Sequence, residues 1–234
     1  MKKNILFSSL AILGMAAIAG TALPGCSEEK VYGSDNTYLD IVTIEDSNEK
    51  GTSFTLQEGG DTPLITLTAS EILDGDKFKK GSRVLLGYKP LSQERFKSGP
   101  VELTGVANIE GSGRPVKPST AEETSNWATQ SVMIHGLWRT GKYLNMAVQM
   151  SYQYAPKEFE VYVDRGTIGT EFPSLYLVCE SDVPVTTNNF VLNASYDISE
   201  IWDAPSTRGI RFHCADIAGN SLIEIKKETE QTKP

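Results

Sequence analysis

The sequence predicts an all-β chain, with a small five-stranded barrel followed by a β-sandwich. Three observations lead there. Short runs alternate apolar and polar residues with period two, helical periodicity is almost absent, and clusters of Gly, Pro, Asn and Asp separate the runs. The cleanest run sets Leu144, Met146, Val148 and Met150 against Asn145, Ala147, Gln149 and Ser151.

The chain opens differently. A basic start, Met1-Lys2-Lys3, leads into an apolar stretch from Phe7 to Gly20 and then Leu23-Pro24-Gly25-Cys26. The stretch is short and rich in Gly and Ala for a transmembrane helix, and it ends on a small residue before a thiol, as a lipoprotein leader does. Residues 1–25 therefore read as a signal peptide and Cys26 as the lipidation site. Two or more acyl chains, at ~0.8 kcal/mol per buried methylene, hold a protein on a membrane where one does not. Ser27-Glu28-Glu29 follows. Acidic residues in that place resemble the surface-export signal of lipoproteins in some outer-membrane bacteria, and residues 26–36 read as a lipidated acidic tether.

The barrel is expected over residues 37–112. Its strands are Tyr38–Ile44, Ser53–Leu56, Leu64–Thr68, Ser82–Tyr88 and Val101–Val106, five in a length that suits closure without free edges. Gly111-Ser112-Gly113-Arg114-Pro115-Val116-Lys117-Pro118 is poor in apolar residues, so residues 113–126 read as a linker. Residues 127–228 hold about seven strands, around Ser131–Trp138, Leu144–Met150, Glu158–Asp164, Ser174–Cys179, Phe190–Tyr196, Gly209–Cys214 and Ser221–Ile225, the size of a sandwich. Residues 229–234 form a tail.

Several of these segments carry a resemblance. Tyr38-Leu39-Asp40-Ile41-Val42-Thr43-Ile44 looks like the opening strand of the NigD-like lipoproteins. Gly81-Ser82-Arg83-Val84-Leu85-Leu86-Gly87-Tyr88 is similar to that family's G-x-R-V-x-x-x-Y strand, and Leu137-Trp138-Arg139-Thr140-Gly141-Lys142-Tyr143-Leu144-Asn145 resembles the start of its second domain. The resemblance runs in order through nearly all of the mature chain. It implies an OB-like barrel and an immunoglobulin-like sandwich. Lys157-Glu158-Phe159 departs from it where a histidine is expected. The family has no established functional residue to carry over, and its name comes from a bacteriocin-associated locus.

Charge narrows the function. The chain has 22 Lys and Arg against 30 Asp and Glu, and loss of Lys2 and Lys3 with the leader takes the net charge from −8 to about −10. Such a balance argues against nucleic acid and against electrostatic binding to anionic membranes. The barrel segment is itself more acidic than basic, which an OB-like single-strand binder would not be.

Catalytic sets are missing. A Ser-His-Asp hydrolase needs a base, and the chain offers only His135 and His213, with no Gly-x-Ser-x-Gly elbow. His213-Cys214-Ala215-Asp216 holds three ligand types, but His213 and Cys214 point to opposite faces of a strand, so no metal is expected. Asp74-Gly75-Asp76 reads as a turn, since the later ligands of a calcium loop are absent. No cofactor is expected.

Cys179 and Cys214 each lie on the apolar phase of a strand. They either bridge two strands or stand as two buried thiols. Trp202, between strands and beside Asp203 and Arg208, either presents its ring to a sugar or peptide or plugs the sandwich core. Trp138 and Tyr143 flank Arg139 and Gly141 in a hairpin-like turn expected to bracket the junction of the domains. Trp202, Trp138, Tyr143 and Arg139 are the candidate contacts. The expected role is a non-enzymatic binding or accessory module, held by lipid in the outer membrane at the cell surface, with a protein or glycan partner. The alternatives are a periplasm-facing accessory or bacteriocin-immunity-type protein, and, behind it, a hydrolase on an envelope or dietary polymer.

Overall fold

The structure is a computed structural model that describes residues 36–92, 94–120, 123, 131–151, 158–180, 189–217 and 222–227. The signal peptide, Cys26 and the tether before Asn36 lie outside the described residues. So do residues 124–130 and 228–234 of the segments assigned above.

Five strands form the barrel: β1 (Tyr38–Asn48), β2 (Gly51–Leu56), β3 (Ile65–Ala69), β4 (Arg83–Pro90) and β5 (Gly99–Asn108). They close in the order β1-β2-β3-β5-β4, with β4 returning to β1. All neighbours are antiparallel except β3 and β5, which pair in parallel at Leu67–Gly99 and Thr68–Pro100. This is the OB-like closure, and it leaves the barrel without an open edge. Alternation fills the interior. Ile65, Leu67 and Ala69 point inward while Thr66 and Thr68 face out. Val42, Ile44, Phe54, Val84, Leu86 and Tyr88 complete the core, each fully buried. The apolar residues on both phases of β1 have a reason: Ile41 is also buried, on the outer side of the barrel. The β1–β2 hairpin turns on Gly51, whose φ is +117°. A Cβ there would lie 2.0 Å from the Ala69 carbonyl oxygen, so only glycine fits.

The sandwich has a five-stranded and a three-stranded sheet. The first runs β13-β12-β10-β9-β6 and the second β11-β8-β7. Their ranges are β6 (Lys117–Ser119), β7 (Met133–Thr140), β8 (Tyr143–Ser151), β9 (Glu158–Asp164), β10 (Ser174–Glu180), β11 (Asn189–Asp197), β12 (Gly209–His213) and β13 (Leu222–Lys226). Leu144, Met146, Val148 and Met150 face Phe159, Val161, Leu175, Leu177 and Phe212 across the core. Burying such side chains contributes about 1.5–3 kcal/mol each. One helical turn, Ser199–Trp202, caps the sandwich and buries Ile201 and Trp202.

Two features lie beyond the strand pattern. β6, three residues with no alternation to read, pairs in parallel with β9 at Lys117–Tyr162 and Ser119–Asp164. Ahead of it, the Gly- and Pro-rich stretch runs along the edge of β11. Glu110, Gly113, Arg114 and Val116 exchange backbone hydrogen bonds with Asn193, Ser195 and Asp197. Arg114 and Lys117 both reach Glu160 on β9, at 2.8 and 2.6 Å.

Candidate functional site

The most unusual side chain lies where barrel meets sandwich. Arg83 opens β4 and is 4% exposed. No carboxylate answers its charge among the described ion pairs. Its Nε donates to Ser195 Oγ (3.1 Å), one terminal nitrogen to Thr43 Oγ1 (3.2 Å), and the other to Asn145 Oδ1 (2.9 Å) and Thr140 Oγ1 (3.4 Å). The acceptors are themselves linked: Ser195 Oγ donates to Asn145 Oδ1, and Asn145 Nδ2 to Thr140 Oγ1, both at 2.9 Å. The guanidinium also lies over the Tyr143 ring at 4.3 Å. Burial pulls its pKa down to about 10, partly offset by Tyr143. Arg83 thus stays charged at neutral pH in a cage of neutral groups, which carry its hydrogen bonds.

Strand geometry builds that cage. On β8 the odd residues from Tyr143 to Gln149 face away from the sandwich core, as do Ser195 on β11 and Trp138 on β7. The barrel covers one end of this outer face, so Asn145 and Ser195 are fully buried.

A second tie lies beside the first. The β2–β3 loop reaches the β7–β8 turn, where Gly60 N–H donates to Arg139 C=O and Gly141 N–H to Gly60 C=O. The Arg139 fork clasps both oxygens of Asp61, at 2.7 and 2.6 Å. It also donates to the Gly141 carbonyl. The hydrogen bond from Arg139 holds the Asp61 carboxyl below its usual range despite some desolvation.

The four candidate contact residues therefore part company. Arg139 and Tyr143 lie at the junction and make contacts inside the molecule. Trp202 is 5% exposed in the sandwich core, with Arg139 4.4 Å and Lys227 5.5 Å from its ring centre. The ligand-presenting alternative for Trp202 is thus corrected: it plugs the core, because the helical turn aims the ring inward. Trp138 lies half-buried on the outer face, its ring over Gly136.

Cys179 and Cys214 are both buried and are not joined. The register explains why. β10 and β12 pair in parallel through Leu175–Phe212 and Tyr176–His213, which sets Cys214 level with Leu177 and leaves Cys179 two residues further on. That offset puts the Cα atoms about 8 Å apart, beyond the reach of a disulfide. Cys179 Sγ instead lies 3.9 Å from Met150 Sδ. Burial pushes the two thiols up to about 12 and about 11, so neither is a ready nucleophile.

The histidines are apart. His135 Nε2 shares a hydrogen bond with Gln149 Oε1 at 2.8 Å on the outer face of β7 and β8. His213 stacks on Tyr176 at 4.4 Å, and burial, with Arg211 nearby, lowers its pKa. Among the described residues no group of three His, Cys, Asp or Glu is placed to hold a metal ion.

In the sequence, Arg83 lies within a motif that assigns it no role. The one signal was polar: Asn145 and Ser195 sit on the off phase of strands whose other phase is core.

No family model matches the chain, and neither does any curated protein. Solved structures do. One is a protein of unknown function, DUF1344, from Bacteroides vulgatus, 14% identical, with a TM-score of 0.62 over 84% of this chain and 92% of that one. Another is a NigD-like immunity protein from Bacteroides caccae, also 14% identical, with a TM-score of 0.56 over 83% of this chain and 93% of that one. At such identities the likeness is one of fold, and it is the fold that the resemblance to the NigD-like lipoproteins implies.

Proposed function

We propose that this chain is a lipid-anchored, non-enzymatic binding or accessory module of the outer membrane, facing the cell surface. The observation that carries the reading is the leader ending at Cys26, followed by Ser27-Glu28-Glu29. The use of polar groups within the fold supports the non-enzymatic part. Asp40 is paired with Arg95, Glu160 with Arg114 and Lys117, and Asp197 with Lys142. Each of these carboxylates is taken up by an ion pair inside the fold. A periplasm-facing, immunity-type role is the second reading, favoured by the fold shared with a NigD-like immunity protein.

Labelling of growing cells with an alkyne fatty acid, followed by protease treatment of intact cells, tests both. The wild type should take up label and be cut from outside, while Cys26→Ser should do neither. Label on the Cys26→Ser variant, or none on the wild type, would refute the anchor. A labelled protein that resists protease would favour the periplasm-facing reading.

A further inference from the structure

The outer face of β7-β8-β11 continues beyond the part that the barrel covers. Its open floor holds Trp138, Gly136 and His135 on β7, Ala147 and Gln149 on β8, and Asn193 on β11, with Met133 and the exposed Val191 on either side of Gln149. From the level of Asn145 to that of Gln149 it runs about 14 Å, and three strands make it about 10 Å wide.

Three observations mark this floor. Trp138 is aligned by an empty position: a Cβ on Gly136 would lie 3.3 Å from Trp138 Cζ3 and 3.5 Å from Cε3, so the missing side chain lets the ring settle over the strand. A β-bulge between Ile134 and Gly136 then turns His135 to the same side, where it meets Gln149. Bulges of this kind re-aim side chains next to binding sites. Finally, none of these eight residues is an acid or a permanent base, in a chain that is 22% charged. An indole face beside amide and imidazole groups, with small residues between them, offers apolar stacking and neutral hydrogen bonding and little to attract an ion.

We infer that this floor is a binding site for a neutral oligosaccharide, with Trp138 stacking on a pyranose ring and Gln149, His135 and Asn193 bonding its hydroxyls. The dimensions suit two or three sugar units. The inference rests on the reading of the chain as a binding module, and names the ligand class for it.

The test uses the full lipidated protein in a sugar-free detergent. Calorimetric titration employs maltotriose, mannotriose, xylotriose and N,N′,N″-triacetylchitotriose, with trigalacturonate as a charged control and an unstructured peptide as another. At least one neutral trisaccharide should bind, and trigalacturonate should not. Trp138→Ala should weaken that binding about tenfold or more, the equivalent of about 1.4 kcal/mol. Gly136→Ala, which displaces the ring while leaving it present, should weaken it about threefold to tenfold at unchanged melting temperature. Gln149→Ala, at a half-buried surface position, serves where Trp138→Ala does not fold. Failure of all four sugars to bind at up to about 10 mM, tenfold above a dissociation constant of about 1 mM, would overturn the inference. So would binding that survives Trp138→Ala and Gln149→Ala, or saturation by the peptide alone. None of these outcomes bears on the anchor, which the fatty-acid label decides separately.

Discussion

Arg83 shows how much a single residue can organise. A guanidinium with neutral partners gains no ion-pair attraction, yet it makes four hydrogen bonds through a fixed fork that a lysine cannot reproduce. Its stem packs beneath Gly113, where an added Cβ would lie 2.7 Å from Arg83 Cγ. Arg83→Ala should lower stability by about 2–4 kcal/mol, from the cavity and the lost hydrogen bonds. Arg83→Met keeps the stem and leaves the Asn145–Ser195–Thr140 bonds in place, so it should restore more than half of that loss; urea unfolding of the two variants measures both. An arginine at the start of a strand ordinarily reads as a solvated residue. Its burial was not legible in the sequence, because Ser195 lies 112 residues away and the motif around Arg83 says nothing of what it meets. The buried cysteines were half legible: alternation placed both thiols inward, and only the register of two parallel strands shows that they miss each other.

At the scale of elements, most strands could be read from alternation, since one face of each is buried and a slip by one residue would expose it. Closure of the barrel followed from strand number and spacing. β6 could not be read, because Lys117-Pro118-Ser119 is too short and too polar for a pattern. The crossing stretch before it reads as a linker, yet its glycines are conformational necessities. Gly113 has φ +83° and lies against both Arg83 and the Tyr143 ring. Gly113→Ala should therefore destabilise the protein by about 1–3 kcal/mol, where a true linker glycine would gain from the same change. Hydrogen exchange offers the check: the amide of Val116, which donates to Asp197, should exchange faster in the variant.

For the whole molecule, barrel and sandwich share three attachments among the described residues: the Arg83 cage, the Arg139–Asp61 clasp and the stretch paired with β11. Differential scanning calorimetry should therefore give one transition, with calorimetric and van't Hoff enthalpies in agreement. Two resolved transitions in the wild type would contradict that coupling, and Arg83→Ala is the variant expected to split the peak. The attachments also have an order in time. Every partner of the guanidinium except Thr43 is made after Arg83 itself, and Ser195 comes last. As the chain emerges, residues 38–108 can close their barrel while that cation is still hydrated. It can lose its water only when β11 arrives, so the sandwich is finished against a barrel already waiting for it.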